Sequence, residues 1–302
     1  MRTTTLTAAP RLTPLLARGA ALSPLKRGVR AGAPLPATRI VLPGARVDPA
    51  RLASYSDICG FPAGDALPLP YPHILGFPLA MRLMSERAFP LPLLGLVHTR
   101  IEIVRHGRQV LRRDDRPELA VHAERLVPHR RGTEVVMATE ARLDGELVWE
   151  SRSSYLARHR TTYDGPHDGP GDCGPARAPL PAVAEWRVPG DLGRRYGAAS
   201  GDRNPIHLHP LTAKLFGFPR HIAHGMWTFA RALAEAERTA GPAAGARAEF
   251  KAPVLLPADV VYAARTTADG TAFELRDGDR VHLTGEAGSG AVVSGGTSAP
   301  RP

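Results

Sequence analysis

Between about residues 38 and 286 the apolar positions switch repeatedly between a helical and a strand-like period. "VDPARLASYSDICGF" reads as a helix that Asp48 can cap, with Pro49 at its first position and Gly60 as its stop. "VPGDLGRRYGAASGD" repeats the plan with Asp191 to cap and Gly201 to stop. Farther along each half, "YPHILGFPLAMRLMSERA" and "FPRHIAHGMWTFARALAEA" place a proline and a histidine before a long segment that is apolar nearly all round. A helix wrapped by sheet on several sides needs that composition. These helices are expected from about His73 to Ala88 and from near Ala223.

Strand patterns follow each long helix. "GLVHTRIEIV", "LAVHAERLV", "TEVVMATEARL" and "LVWESRSSYLA" in the first half, and "ARAEFKAPVLL", "DVVYAARTTA", "TAFELRD" and "RVHLTGEA" in the second, are β-branched and nearly alternating. Asp269–Gly270 and Asp277–Gly278 suit hairpin turns. One long helix and an antiparallel sheet, built twice, is an α+β plan. The Gly- and Pro-rich stretch 161–182 reads as the linker between a unit at 38–160 and a unit at 183–286. Residues 1–37, with five prolines and no acid, read as a flexible arm, and 287–302 as a flexible tail. Aligning Tyr55 with Tyr196 superposes Gly60 on Gly201, Phe61 on Asp202 and Ala66 on His207, so only the second half carries the polar pair.

Composition narrows the classes of function. No run of about 18 apolar residues supports a membrane span. Cys59 and Cys173 lack both metal-type spacing and a disulfide framework, which fits a reducing, cytoplasmic setting. The net charge of +10 comes from scattered arginines, with Lys26, Lys214 and Lys251 the only lysines, and no basic stripe is interleaved with aromatics. A nucleic-acid partner is therefore not expected, whereas some of the charge could attract an anionic partner.

"YGAASGDRNPIHLHPLTAKLFGFPRHIAHGM", Tyr196 to Met226, is similar to the signature of MaoC-type dehydratases, the (R)-specific enoyl-thioester hydratases of the hot-dog fold. Asp-x4-His, the flanking Ser-Gly and Asn-Pro, and the later Ile-Ala-His-Gly-Met all coincide, and "FKAPVLLPADV" resembles the family's next strand. The two-half layout resembles the double hot-dog members, notably the actinobacterial 3-hydroxyacyl-thioester dehydratases. The resemblance spans roughly 38 to 286.

This resemblance implies reversible hydration of a trans-2-enoyl thioester. Asp202 and His207 would share one water as acid and base, and the N–H of Gly225 would serve as the oxyanion donor. Ser200 and Asn204 would support the segment, which Gly201, Pro205 and Pro210 keep from being an ordinary helix, and His224 would brace it from outside the catalytic pair. No cofactor is implied, since coenzyme A or phosphopantetheine arrives with the substrate. The carrier is coenzyme A or an acyl-carrier protein, whose charge Arg194, Arg195 and Lys214 could meet. The first half would bind the acyl chain along its long helix, with Leu75, Phe77, Leu79 and Met84 as wall or core residues. The arrangement also allows a homodimer.

Other chemistries fit less well. His207, His209, His221 and His224 with Asp202 could be drawn as a metal cluster, but no His-Glu-x-x-His helix accompanies them, and no metal is expected. Ser153 and Ser154 lack a nucleophile elbow, and "GSGAVVSGG" has no helix after it to cradle a phosphate. A thioester-binding protein or a hot-dog thioesterase stays open on fold grounds alone.

Overall fold

The computed structural model describes residues 1–26, 33–163 and 179–289. The chain begins with β1 (Arg2–Thr5) and α1 (Leu12–Leu22). The first unit follows as β2 (Thr38–Leu42), α2 (Pro49–Cys59), α3 (Tyr71–Met84), β3 (Val97–Arg105), β4 (Glu118–His129), β5 (Gly132–Leu143) and β6 (Glu146–Arg158). The second is β7 (Ala182–Val188), α4 (Leu192–Ser200), α5 (Pro205–Leu208), α6 (Pro210–Leu215), α7 (Gly225–Ala240), β8 (Gly245–Phe250), β9 (Ala258–Thr267), β10 (Gly270–Asp277) and β11 (Arg280–Gly288).

The strands form one sheet in the order β1-β2-β4-β5-β6-β3-β8-β11-β10-β9-β7, so the second unit mirrors the first about the β3–β8 seam. That seam is antiparallel, with Ile101 opposite Ala248 and Ile103 opposite Ala246. Pairing the two inner edges leaves neither unit with an open strand there. α3 packs on β2, β4 and β5, and α7 packs on β8 to β11. Leu79, Leu83 and Met84 of α3 and Phe229, Ala232 and Leu233 of α7 are fully buried. Enclosure by sheet and neighbouring helix explains why α3 is apolar nearly all round, whereas α7 departs from that expectation: it is amphipathic, with Arg231 and Arg238 pairing with the buried Glu235. The architecture is the expected α+β one, two units each with a long helix wrapped by antiparallel strands.

The shorter helices meet between the units. α2 packs against α4, and the aligned Tyr55 and Tyr196 face each other with ring centroids 5.9 Å apart. As expected, Asp48 caps α2 by accepting from the N–H groups of Ala50 and Arg51, and Gly60 ends it at φ 80°. Asp191 stands at the N-cap of α4 without a side-chain capping bond. Phe61 is buried against Tyr55, and Ala66 forms a β-bridge with Arg112.

Several expectations are corrected. The N-terminal arm is not merely draped: β1 pairs in parallel with β2, and α1 packs on α3 through the buried Leu15. Pro10 and Pro24 lie outside α1 and Pro14 falls in its first turn, where no N–H is needed, so the prolines do not prevent this helix. α3 ends at Met84 rather than Ala88, and α7 begins at Gly225 rather than Ala223. β8 ends at Phe250, and the chain runs without regular strand to β9 at Ala258, so the expected strand through Leu256 is shorter than its pattern. β11 runs to Gly288, beyond the expected start of the tail. Cys173 and most of the 161–182 linker and of "GSGAVVSGG" lie outside the described residues.

Candidate active site

The motif segment is built from local hydrogen bonds. α4 stops at Gly201, whose φ of 85° suits glycine, and the chain turns back along the helix. The Ser200 hydroxyl donates to the Tyr196 carbonyl at 2.8 Å and accepts from the Asp202 N–H at 3.2 Å. Asp202 Oδ1 accepts from the Asn204 N–H at 3.2 Å, and Asn204 Oδ1 accepts from the Ile206 N–H at 3.4 Å. Asn204 thereby caps α5, with Pro205 at its first position. His209 does the same for α6, its Nδ1 accepting from the Leu211 N–H at 3.2 Å ahead of Pro210. The segment is therefore not a plain loop. Its prolines start two short helices, and His207 sits on the first.

Two residues that the sequence reading passed over make this packing feasible. Gly193 and Gly197 lie one turn apart on α4, under the motif. A Cβ on Gly193 would collide with the His207 carbonyl oxygen, and one on Gly197 would stand 2.9 Å from the Asp202 carbonyl oxygen. Glycine in a helix costs about 1 kcal/mol relative to alanine, so two spaced i, i+4 signal a close backbone approach.

Asp202, His207 and His224 come together, each presenting a ligand-type atom within 4.8 Å of the others. The His207 and His224 rings stack, centroids 3.7 Å apart and planes 25° from parallel. His207 Nδ1 lies 2.8 Å from the Ile222 carbonyl oxygen, which can only accept, so Nδ1 holds the proton and Nε2 the lone pair. By the same logic His224 Nε2 donates to the Asp202 carbonyl at 2.9 Å. That bond braces the backbone on which the carboxylate is mounted.

Burial dominates the electrostatics. It pushes His207 down to about 3, helped by His224 and opposed by the Asp202 carboxylate. It also pushes His224 down to about 4. The Asp202 carboxyl is raised by burial, while His207 and the Asn204 N–H pull it back. At neutral pH both imidazoles are uncharged.

Gly225 is the first residue of α7, so the helix supplies no acceptor for its N–H, while Trp227 and Thr228 bond back to the His224 carbonyl. A Cβ on Gly225 would lie 3.1 Å from the Phe250 ring. Phe250 in turn packs on His98 (4.8 Å), and His98 stacks on Tyr155 (4.5 Å), where the Asp202 charge is still felt. The site thus has walls from both units, and His98, Tyr155 and Phe250 join it from strands that no local motif connects. Trp227 Nε1 donates to the Ile58 carbonyl and Arg51 Nε to that of Ala199, tying the units together beside the site.

Other sequence candidates lie elsewhere. Leu79 and Met84 are fully buried in the core, while Leu75 and Phe77 are partly buried. Arg194, Arg195 and Lys214 are exposed. Among the described residues the metal-type group is Asp202, His207 and His224. His209 is outside it as a helix cap, and His221 is outside it as well, with Nε2 2.6 Å from the Gly190 carbonyl. Each imidazole of that group commits one N–H to a carbonyl, leaving His207 Nε2 and His224 Nδ1 as lone pairs.

Comparison with known proteins finds relatives in sequence and in fold. Residues 182–284 match the MaoC like domain. The chain is 37% identical over 224 residues to 3-hydroxyacyl-thioester dehydratase X of Mycobacterium tuberculosis, covering 74% of this chain and 79% of that protein. It is also 37% identical over 112 residues, 34% of this chain and 38% of the relative, to the enoyl-CoA hydratase ChsH3 of the same organism. A crystal structure of HtdX from M. tuberculosis superposes with a TM-score of 0.71 at 32% identity, covering 82% of this chain and 98% of that one. A MaoC-like dehydratase from Phytophthora capsici shares the fold with a TM-score of 0.72 at 17% identity, over 88% and 100% of the two chains.

Proposed function

The chain belongs to the family of MaoC-like, double hot-dog dehydratases, and on that premise we propose that its Asp202–His207 pair interconverts trans-2-enoyl and (R)-3-hydroxyacyl thioesters by adding or removing water. It is a hydro-lyase. The observation that carries the reading is the closeness of the Asp202 carboxylate to His207, whose Nε2 keeps its lone pair, beside a helix that offers the Gly225 N–H no acceptor of its own.

In the hydration direction one water is held between the carboxylate and His207 Nε2. As its oxygen bonds to C3, one of its protons passes to the pair, and the C2–C3 π electrons move onto the thioester oxygen as an enolate. The Gly225 N–H, with the positive end of α7 behind it, stabilises that oxygen, a role commonly worth about 3 kcal/mol. The enolate then collapses and C2 takes a proton from the pair, so that H and OH have been added. Dehydration retraces these steps. Oxidation state does not change overall, so the reading requires no redox cofactor, and coenzyme A or phosphopantetheine enters as part of the substrate.

Ser200, Asn204 and His224 position the pair through the backbone bonds described above. The first unit has Phe61 and Ala66 where the second has the acid and the imidazole, and it serves as scaffold and acyl-side wall.

The test is turnover of crotonyl- and longer trans-2-enoyl-CoA by the purified chain, following loss of the enoyl absorbance, product stereochemistry and thiol release. An (R)-3-hydroxy product without thiol release, with kcat reduced about 10²- to 10⁴-fold in Asp202→Asn and in His207→Ala, supports the reading. Thiol release would indicate a thioesterase instead, and binding without turnover would indicate a carrier.

A further inference from the structure

α6, immediately after the helix that carries His207, presents apolar side chains at the protein surface. Ala213 anchors it and Thr212 Oγ1 donates to the Pro205 and His209 carbonyls, while Leu211 is 67%, Leu215 83% and Phe216 42% exposed. Leu211 and Leu215 are one turn apart and share a face. The flanking sequence is cationic. No acidic residue occurs between Asp202 and Glu235, while Arg203, Lys214 and Arg220 do, and Arg194 reaches the Leu208 carbonyl at the end of α5. Among the described residues, none of Arg194, Arg195, Arg203, Lys214 and Arg220 has a carboxylate partner.

Exposed leucines at helical spacing, in a stretch whose cations have no carboxylate partner, call for a partner that is both apolar and acidic. We propose that α6 and its basic surround dock an acidic acyl-carrier protein, which delivers the thioester on its phosphopantetheine arm to the adjoining site. The proposal rests on the thioester reading above and deepens it by choosing the carrier. Coenzyme A phosphates would use the cations and leave Leu211, Leu215 and Phe216 without a partner. A second copy of the chain would bring a cationic face against another. A lipid surface would receive two turns at most from so short a helix.

The experiment compares the wild-type chain with a Leu211→Ser/Leu215→Ser double variant. Binding of a purified bacterial holo-acyl-carrier protein is measured by fluorescence anisotropy at two salt concentrations, and kcat/KM is measured for one enoyl group carried by that protein and by coenzyme A. Support would be a Kd that rises at least tenfold in the variant and weakens with salt, with kcat/KM falling to match on the carrier substrate and changing less than twofold on the coenzyme A ester. The docking proposal is overturned by unchanged carrier binding, by equal losses on both substrates, or by a wild-type oligomer that the double variant dissociates. It is likewise overturned by binding to anionic phospholipid vesicles that the variant loses while carrier binding persists. Carrier binding with no turnover of either substrate would instead sink the hydratase reading and leave the docking surface standing.

Discussion

His207 and His224 lie ring on ring, 3.7 Å between centroids, with each imidazole's single proton committed to a backbone carbonyl. Protonating either would put a cation against its neighbour in a buried setting. Burial and this mutual repulsion hold His207 near 3, far below an ordinary histidine near 6.5. The neutral base is then present throughout the working range. kcat/KM should be flat from about pH 6 to 8, with an acid limb below about pH 5 that belongs to the Asp202–His207 pair. His224→Phe keeps the stacked ring but removes its charge, and should move that limb upward. A pH-rate profile with a single limb near 6.5 in the wild type would contradict the assignment.

Stability should respond to acid for the same reason. His73 and His224 are held near 4, and His98 and His207 near 3, by burial. Because these folded-state values lie below the unfolded one, the unfolded chain binds more protons as pH falls through about 6.5. Stability is therefore complete above that pH and declines toward pH 4. The raised Asp202 carboxyl acts in the opposite sense and offsets part of the loss. Scanning calorimetry should show Tm roughly 5 °C or more lower at pH 5 than at pH 7.5. A His73→Asn/His98→Phe double variant should show a shallower slope.

Gly193→Ala tests the close approach of α4 to the motif. Its methyl group would meet the His207 carbonyl oxygen, so helix or catalytic segment must shift. Overpacking of this kind costs about 1–3 kcal/mol, and displacement of His207 should lower kcat at least tenfold. Ala198→Ser, on the exposed side of the same helix, should change neither. Thermal melts and steady-state kinetics on the three proteins separate the effects.

Gly225→Ala keeps the N–H but places a methyl 3.1 Å from the Phe250 ring, beside the proposed oxyanion position. We expect kcat to fall by about 10- to 100-fold with only a small change in melting temperature. Adding Phe250→Leu makes room for the methyl group and should recover part of the rate. Full activity in the single variant would show that the thioester oxygen does not approach this glycine.

What the sequence disclosed was mostly what is local. The cap at Asp48 and the stops at Gly60 and Gly201 act over a few residues, and the Asp202–His207 spacing is carried by one short segment, although that segment reads as loop where the structure has Asn204 cap a helix. β2 and β7 escaped notice because they are only five and seven residues long and precede the helices, away from the strand runs. Tyr155 and His98 reach the site through pairing of β6 with β3 and closure of the seam, contacts whose partners lie far apart in sequence. Gly193 and Gly197 had a signal, their spacing within a helix, but what they make room for becomes visible only once the chain has folded back. The ordering of the N-terminal segment rests likewise on a strand pairing more than thirty residues away.

The strand order also sets how two such units can share one chain. β6, which ends the first unit, and β7, which begins the second, are separated by β3, β8, β11, β10 and β9. That makes six strand spacings, or about 29 Å along the sheet. The connection between them is 159–181, or 23 residues, which fully extended would reach about 76 Å. A tether of fewer than about nine residues could not make the journey. A duplication that joined the copies tightly would have broken one end of the sheet, whereas the chain as it stands has reach to spare and could lose about half of its connection without disturbing either unit.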